Sequence, residues 1–239
     1  SVPIEAYFSA LQEHLKSRHL PDGRTWLDIW LQHIADEPIP ENLNSWESLA
    51  TRVKKAAPEM KIIEAYRSPE NKPELIDVLV PQLDEIMQDG FRHIDKGQQC
   101  WFYTCMYPRG RFANRYVTQP LVKTRLLHWI NFRFSLPGYL HWGFNYWGEN
   151  GDPFGDVSAP LNDWPGGDSH IVYPGHLKVY PSIRLKAMRD GIRDYELLRL
   201  AQEVTGRDFS AELIRDYNDC EISIASFREL RKRILECFQ

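Results

Sequence analysis

Between Pro3 and Leu20 the apolar residues Ile4, Phe8, Leu11 and Leu15 recur at steps of three and four, which predicts an amphipathic helix stopped by Pro21-Asp22-Gly23. The next stretch, Trp26 to Ile34, is apolar with little polar alternation, the pattern of a strand covered on both faces in a parallel sheet. It runs into Ala35-Asp36-Glu37-Pro38. A helix is predicted over 45–57, with Trp46, Leu49 and Val53 on one side, and a strand over 61–66. The alternation continues with strands over 77–80, 100–105 and 139–145 and helices over 83–96 and 121–134. A long helix over 182–204 has Ser182 as N-cap and Gly206 beyond its end, and two more are expected at 210–218 and 226–237.

Five strands with helices between them imply an α/β fold with parallel strands, either an open doubly wound sheet or a barrel. No G-x-G-x-x-G follows the first strand, which weakens the dinucleotide-binding version. Two features favour a (β/α)8 TIM-type barrel. Acids, aromatics and amides gather after the C-terminal ends of strands, at Asp36, Glu37, Tyr66, Tyr103 and the run Trp142 to Trp147, where barrel enzymes build their sites. The Gly-, Pro- and Asp-rich stretch 147–181 reads as an elaborated loop. Five strands do not close a barrel of eight. The expectation is therefore one domain over 1–239 forming the C-terminal portion of an incomplete barrel.

Composition removes several function classes. The net charge is -4 and the basic residues are dispersed, so nothing asks for a nucleic-acid partner. No apolar run approaches the roughly twenty residues of a membrane span. The four cysteines lack C-x-x-C spacing, and the eight histidines form neither H-E-x-x-H nor a zinc-ligand cluster, so no metal or cofactor is expected. Asp152, Asp156 and Asp163 lack the spacing of a calcium loop and read as turn residues.

The chemistry concentrates in Asp36-Glu37. Glycosidases that supply their own nucleophile or base set two carboxyl groups on opposite faces of the sugar, roughly 5 to 9.5 Å apart, and adjacent residues can hardly straddle a ring. A 2-acetamido sugar changes the requirement, because its own carbonyl oxygen can attack the anomeric carbon. The enzyme then needs an acid/base, assigned to Glu37, and a carboxylate that holds the acetamido N–H, assigned to Asp36. Pro38 is expected to hold Glu37 extended. Taken alone, an acidic pair ahead of a helix also fits a solvated surface or a complement to the helix dipole.

A wider set of motifs bears on that choice: His33-Ile34-Ala35-Asp36-Glu37-Pro38, Trp101-Phe102-Tyr103-Thr104-Cys105, Gly138 through Trp147, Tyr173-Pro174-Gly175, and Ser182-Ile183-Arg184-Leu185 through Glu196. In this order they resemble glycoside hydrolase family 123, the β-N-acetylgalactosaminidase-like enzymes, over about Trp26 to Val204. The resemblance implies a carbohydrate substrate, substrate-assisted hydrolysis with retention, and Asp36 and Glu37 as the catalytic pair. It also implies an N-terminal β-sandwich and the first barrel strands in the same polypeptide, ahead of this sequence, and a secreted or periplasmic location.

Sugar pockets mix rings with amides and acids. Trp142, Asn145, Trp147 and Tyr173 are candidate substrate contacts, Tyr103 and Tyr66 candidate hydroxyl donors, and His33 a further candidate. Trp142, Tyr103, Tyr66 and His33 have a structural alternative, a core ring or a satisfied histidine, while Asn145 and Trp147 lie beyond the expected strand end and lean towards the site. Arg184 and Arg189 are expected to anchor the loop to the long helix through carboxylates such as Asp190 or Asp194. Two rival functions stay open: a carbohydrate-binding relative without catalysis, and a two-carboxylate glycosidase using Glu64 as its second acid.

Overall fold

The computed structural model describes residues 3–67, 73–87, 99–148, 152–154 and 164–238. They group into two compact units, Ser1–Pro81 with Gln88–Cys100, and Gln82–Met87 with Trp101–Gln239. The class is the one the alternation predicts, α/β with parallel strands.

In the first unit, helix α1 (Ile4–Lys16) buries Phe8, Gln12 and Leu15. The apolar run expected to be one strand divides into a short helix, α2 (Trp26–Ile29), and a two-residue strand, β1 (Leu31–Gln32). The reason is local. Thr25 and Asp28 form a capping box, in which Asp28 Oδ2 accepts from the Thr25 N–H at 2.6 Å, so the chain starts a helix where hydrophobicity alone suggests a strand. Helix α3 (Leu43–Ala56) follows, then β2 (Lys61–Ala65), β3 (Val78–Val80) and β4 (Gln99–Cys100). All four strands are parallel and neighbour one another in chain order.

Two apolar layers hold this unit. Trp46, Ala50, Ile62, Tyr66, Ile76 and Leu79 form one, and Phe8, Leu15, Leu27, Val53, Ala57 and Met60 the other. Trp46, Ala50, Val53 and Ala57 lie at helical spacing, so α3 serves both layers with one face.

In the second unit, β5 (Phe102–Tyr103) pairs in parallel with β6 (Tyr139–Leu140), and Gln82 bridges Tyr103, also in parallel. Gly138, just before β6, lies against the Trp101 indole, and a Cβ there would come within 2.0 Å of the ring. The strand expected over 139–145 is shorter. After Leu140 the chain turns, and Asn145 bridges His170 in antiparallel fashion. The loop expected over 147–181 ends in a hairpin, β7 (Val172–Gly175) with β8 (Lys178–Pro181).

Helix α4 (Leu121–Arg133) is buried on most of its faces, with Leu126, Leu127, Trp129 and Ile130 wholly enclosed. Helix α5 (Ile183–Thr205) packs along it. Gly191 permits the approach, since a Cβ there would stand 2.5 Å from the Arg125 carbonyl oxygen. Ser182 caps α5 by accepting the Leu185 N–H, and Gly206 closes it at φ 71°, both as the sequence predicts. The region expected as helix over 210–218 is a 3-10 turn at Phe209–Glu212, and the last helix, α6, spans Ile224–Glu236. Of the helix expected over 83–96, the described part is a 3-10 turn at Glu85–Met87, and the rest lies outside the described residues. Among the described residues no helix is long and apolar enough to cross a membrane.

One buried charge ties three helices of this unit together. Asp194 on α5 is fully enclosed and accepts from Arg125 Nη2 at 2.8 Å, Trp129 Nε1 at 3.1 Å and Arg231 Nε at 2.9 Å. Replacing it leaves two guanidinium groups and an indole N–H facing an empty site. Asp194→Ala should lower unfolding free energy by about 3 kcal/mol, the low end for breaking a buried pair because both arginines keep some solvent. Urea denaturation measures this, and an unchanged midpoint would contradict the role given to Asp194.

Candidate active site

Side chains alternate along β2, so Ile62, Glu64 and Tyr66 point to one face, the one that α3 covers. Ile62 and Tyr66 are members of the apolar layer there. Glu64, between them, has no exposed surface. Its Oε1 accepts from the Ile34 N–H at 2.7 Å, the Ala35 N–H at 3.2 Å and Trp46 Nε1 at 3.0 Å. Its Oε2 lies 2.8 Å from His33 Nε2, an ion pair when the ring is protonated. The Glu64 carboxylate raises the His33 pKa above its usual value, with smaller help from the charge of Asp36.

Asp36 and Glu37 follow directly, in a bend after β1 and ahead of α3. Asp36 is exposed, Glu37 partly so, and Pro38 is buried. Glu37 has φ 43°, in the left-handed region, so the expectation that Pro38 holds it extended is overturned. The bend at 35–37 decides its backbone in place of the proline's local preference. Glu64 also departs from the role a two-carboxylate glycosidase would give it. An enclosed carboxylate with its oxygens turned to Ile34, Ala35, Trp46 and His33 has no face for a sugar, and that reading is set aside.

Tyr66 is 1% exposed and packs in the layer beneath α3. Burial raises its pKa. His33, a candidate substrate contact with a core histidine as its alternative, is half-exposed. In the second unit Tyr103 is buried at 4%.

The other candidates of that unit stand on a shared framework. Trp142 is 42% exposed, and its Nε1 donates to Asp168 Oδ2 at 2.8 Å. Its ring meets Trp164 edge-on, with centroids 5.0 Å apart, and tilts against Tyr146 at 5.8 Å. Asn145 is exposed, and Trp147 is partly buried with Nε1 donating to the Val172 carbonyl at 2.9 Å. Tyr173 stacks on Phe154 with centroids 5.1 Å apart.

Beneath these rings lie charges that sequence reasoning missed. Asp168 is 1% exposed, and its carbonyl accepts from Arg115 Nη2 at 3.0 Å. His141 Nε2 lies 3.2 Å from Asp168 Oδ1, while His141 Nδ1 accepts from the Gly143 N–H at 3.1 Å. Burial pushes the His141 pKa down to about 4, so the ring is neutral near neutral pH, and it pushes Arg115 down to about 10.

Arg184 is buried and does anchor the loop, but through carbonyls. It donates to those of Arg115, Gly167 and His170 at 2.9, 2.6 and 2.9 Å, whereas carboxylates were expected. Arg189 pairs with its neighbour Asp190 at the surface, within α5, and so does not tie the loop to the helix as expected. Asp152 caps a turn through the Phe154 N–H, while Asp156 and Asp163 lie outside the described residues. The signal for Asp168 was thin, one acid in a loop rich in Gly, Pro and Asp.

Comparison with known proteins identifies the family. The family model for "Glycoside hydrolase 123, catalytic domain" matches residues 3–201. Among solved structures, the chain is similar to a family 123 glycoside hydrolase from Clostridium perfringens, studied for glycolipid glycan hydrolysis, at 18% identity with a TM-score of 0.66. The match covers 96% of this chain and 43% of that one, so the chain spans less than half the length of that enzyme. No curated protein sequence matches.

The His33 contact gives a pH signature. A raised histidine pKa means that the pair stabilises the fold fully below the unfolded value of about 6.5 and loses that contribution as pH rises through the folded value. NMR titration of His33 should give a midpoint above that of a free histidine, falling back towards it in Glu64→Gln. A midpoint lower than a free histidine's would contradict the pairing.

Proposed function

Because the chain belongs to glycoside hydrolase family 123 through its catalytic domain, we propose that it releases terminal β-linked N-acetylgalactosamine, or a related N-acetylhexosamine, by substrate-assisted hydrolysis with retention. The observation that carries this reading is the state of the three acids in the first unit. Glu64 is enclosed, while Asp36 is exposed and Glu37 partly exposed in one bend after a parallel strand. Two neighbouring acids suit a substrate that brings its own nucleophile.

In this reading Glu37 protonates the leaving oxygen as the acetamido carbonyl oxygen attacks the anomeric carbon. The leaving group departs with that proton, and a cyclic oxazolinium forms. Asp36 accepts the acetamido N–H bond and balances the positive charge that develops on the ring. Glu37, now a carboxylate, takes a proton from water as the water opens the intermediate, and two inversions give net retention. General acid/base help of this kind is worth about 10²–10⁴-fold.

The strand order of the first unit, parallel and sequential, supports a segment of a (β/α)8 barrel with this bend at its catalytic end. In the second unit Trp142, Asn145, Trp147 and Tyr173 are proposed as sugar contacts, and in the first unit His33 as a further polar group. Tyr66 and Tyr103 are left out of this set, since both rings are buried in the core.

The test is hydrolysis of an aryl β-N-acetylgalactosaminide beside the matching β-galactoside. The acetamido substrate alone should turn over, and Glu37→Gln and Asp36→Asn should each lower kcat by about 10²-fold or more. Equal turnover of both sugars, or unchanged rates in both variants, would defeat the proposal. Binding without turnover would favour the non-catalytic relative.

A further inference from the structure

Along β2 the residues on the α3 side are Ile62, Glu64 and Tyr66, and the position of Glu64 is one that packing alone would fill with an apolar side chain. A carboxylate held there is costly unless its oxygens are well occupied by donors. The donors that Glu64 has found are specific. The register of β1 on β2 ends at Gln32↔Ile62. Past His33, the amides of Ile34 and Ala35 turn to the Glu64 carboxylate oxygen at 2.7 and 3.2 Å. Trp46 of α3 donates to the same oxygen at 3.0 Å. One atom therefore fixes the last residues before Asp36 and ties them to the helix that follows the bend.

The backbone just beyond needs such support. Glu37 at φ 43° occupies a left-handed conformation that is costly for a non-glycine residue and persists only where its surroundings over-determine it. Glu64 holds the N-terminal side of the bend, and Pro38 on the other side is buried.

We infer that Glu64 is a positioning residue for the Asp36-Glu37 pair, replacing the strand ladder where β1 ends and setting the backbone from which both acids project. This rests on the catalytic reading of that pair. Glu64 touches no substrate, and its effect passes through the amides of Ile34 and Ala35.

The experiment compares Glu64→Leu, Glu64→Gln and Glu64→Asp with Glu37→Gln, using the same acetamido glycoside well below each variant's unfolding temperature. Leucine suits the apolar layer but offers no acceptor. It should lower kcat by about 10²-fold, the size of effect a misplacement of about 1 Å produces, with KM changed less than about threefold. Glutamine keeps one acceptor oxygen for the two amides and should recover at least about tenfold of that loss. Aspartate keeps the charge but is shorter by one methylene, and should be impaired like leucine. A merely structural role would lower the unfolding temperature in these variants and leave kcat intact.

Wild-type kcat in folded Glu64→Leu overturns the inference, as does wild-type kcat in Glu64→Asp should the leucine variant not fold. Amide exchange in the unmodified protein is an independent arm. Protection of Ile34 and Ala35 supports the anchor, and free exchange at both sinks it. Wild-type activity in Glu37→Gln would instead remove the catalytic reading beneath it, a result separate from any outcome at Glu64.

Discussion

The first unit depends on a carboxylate placed where water cannot reach it. Glu64 has no exposed surface, so its charge is tolerable only with donors around it, and those it has come from two stretches of chain, 33–35 and α3. Two are consecutive amides at the end of β1, one is the indole of α3, and the imidazole of His33 approaches the second oxygen. Hydrogen bonds to a charged group are stronger and more directional than apolar contact. Apolar packing brings α3 onto β2, while this cluster decides where the chain between β1 and α3 must run. The acidic pair lies on that path.

The second unit uses the same device for other ends. Asp194 gathers Arg125, Trp129 and Arg231 and so fixes three helices about one point. Asp168 holds the Trp142 indole, and Arg184 gathers three loop carbonyls. An irregular loop has few ladder hydrogen bonds of its own, so buried side-chain donors and acceptors take over the satisfaction of its backbone. Above this framework Trp142 and Tyr146 keep large exposed faces, the kind of surface that covers the C–H face of a sugar.

Much of the fold was legible where one physical signal dominated. The helix over 121–134, the cap at Ser182 and the stop at Gly206 follow from pattern and capping, and they stand within a residue or so of expectation. The stretch 26–34 was misread because its hydrophobicity suits a buried strand, whereas the Thr25 and Asp28 side chains start a helix inside it. Asp36 and Glu37 were visible as a motif. The surroundings of that pair were not, since Glu64 is about thirty residues away in sequence and two of its four partners are backbone amides, which carry no sequence signature. Arg184 was placed in the right role with the wrong acceptors for the same reason: carbonyls belong to every residue and mark none.

The central claim is that the acidic pair serves a nucleophile carried by the sugar. Inhibition by the thiazoline analogue of N-acetylgalactosamine, a stable mimic of the cyclic intermediate, tests it most directly. The account predicts competitive inhibition far tighter than binding of N-acetylgalactosamine itself, with no sugar found attached to the protein by mass spectrometry during turnover. A thiazoline that binds no better than the free sugar, together with a glycosylated carboxylate trapped on the enzyme, would contradict it.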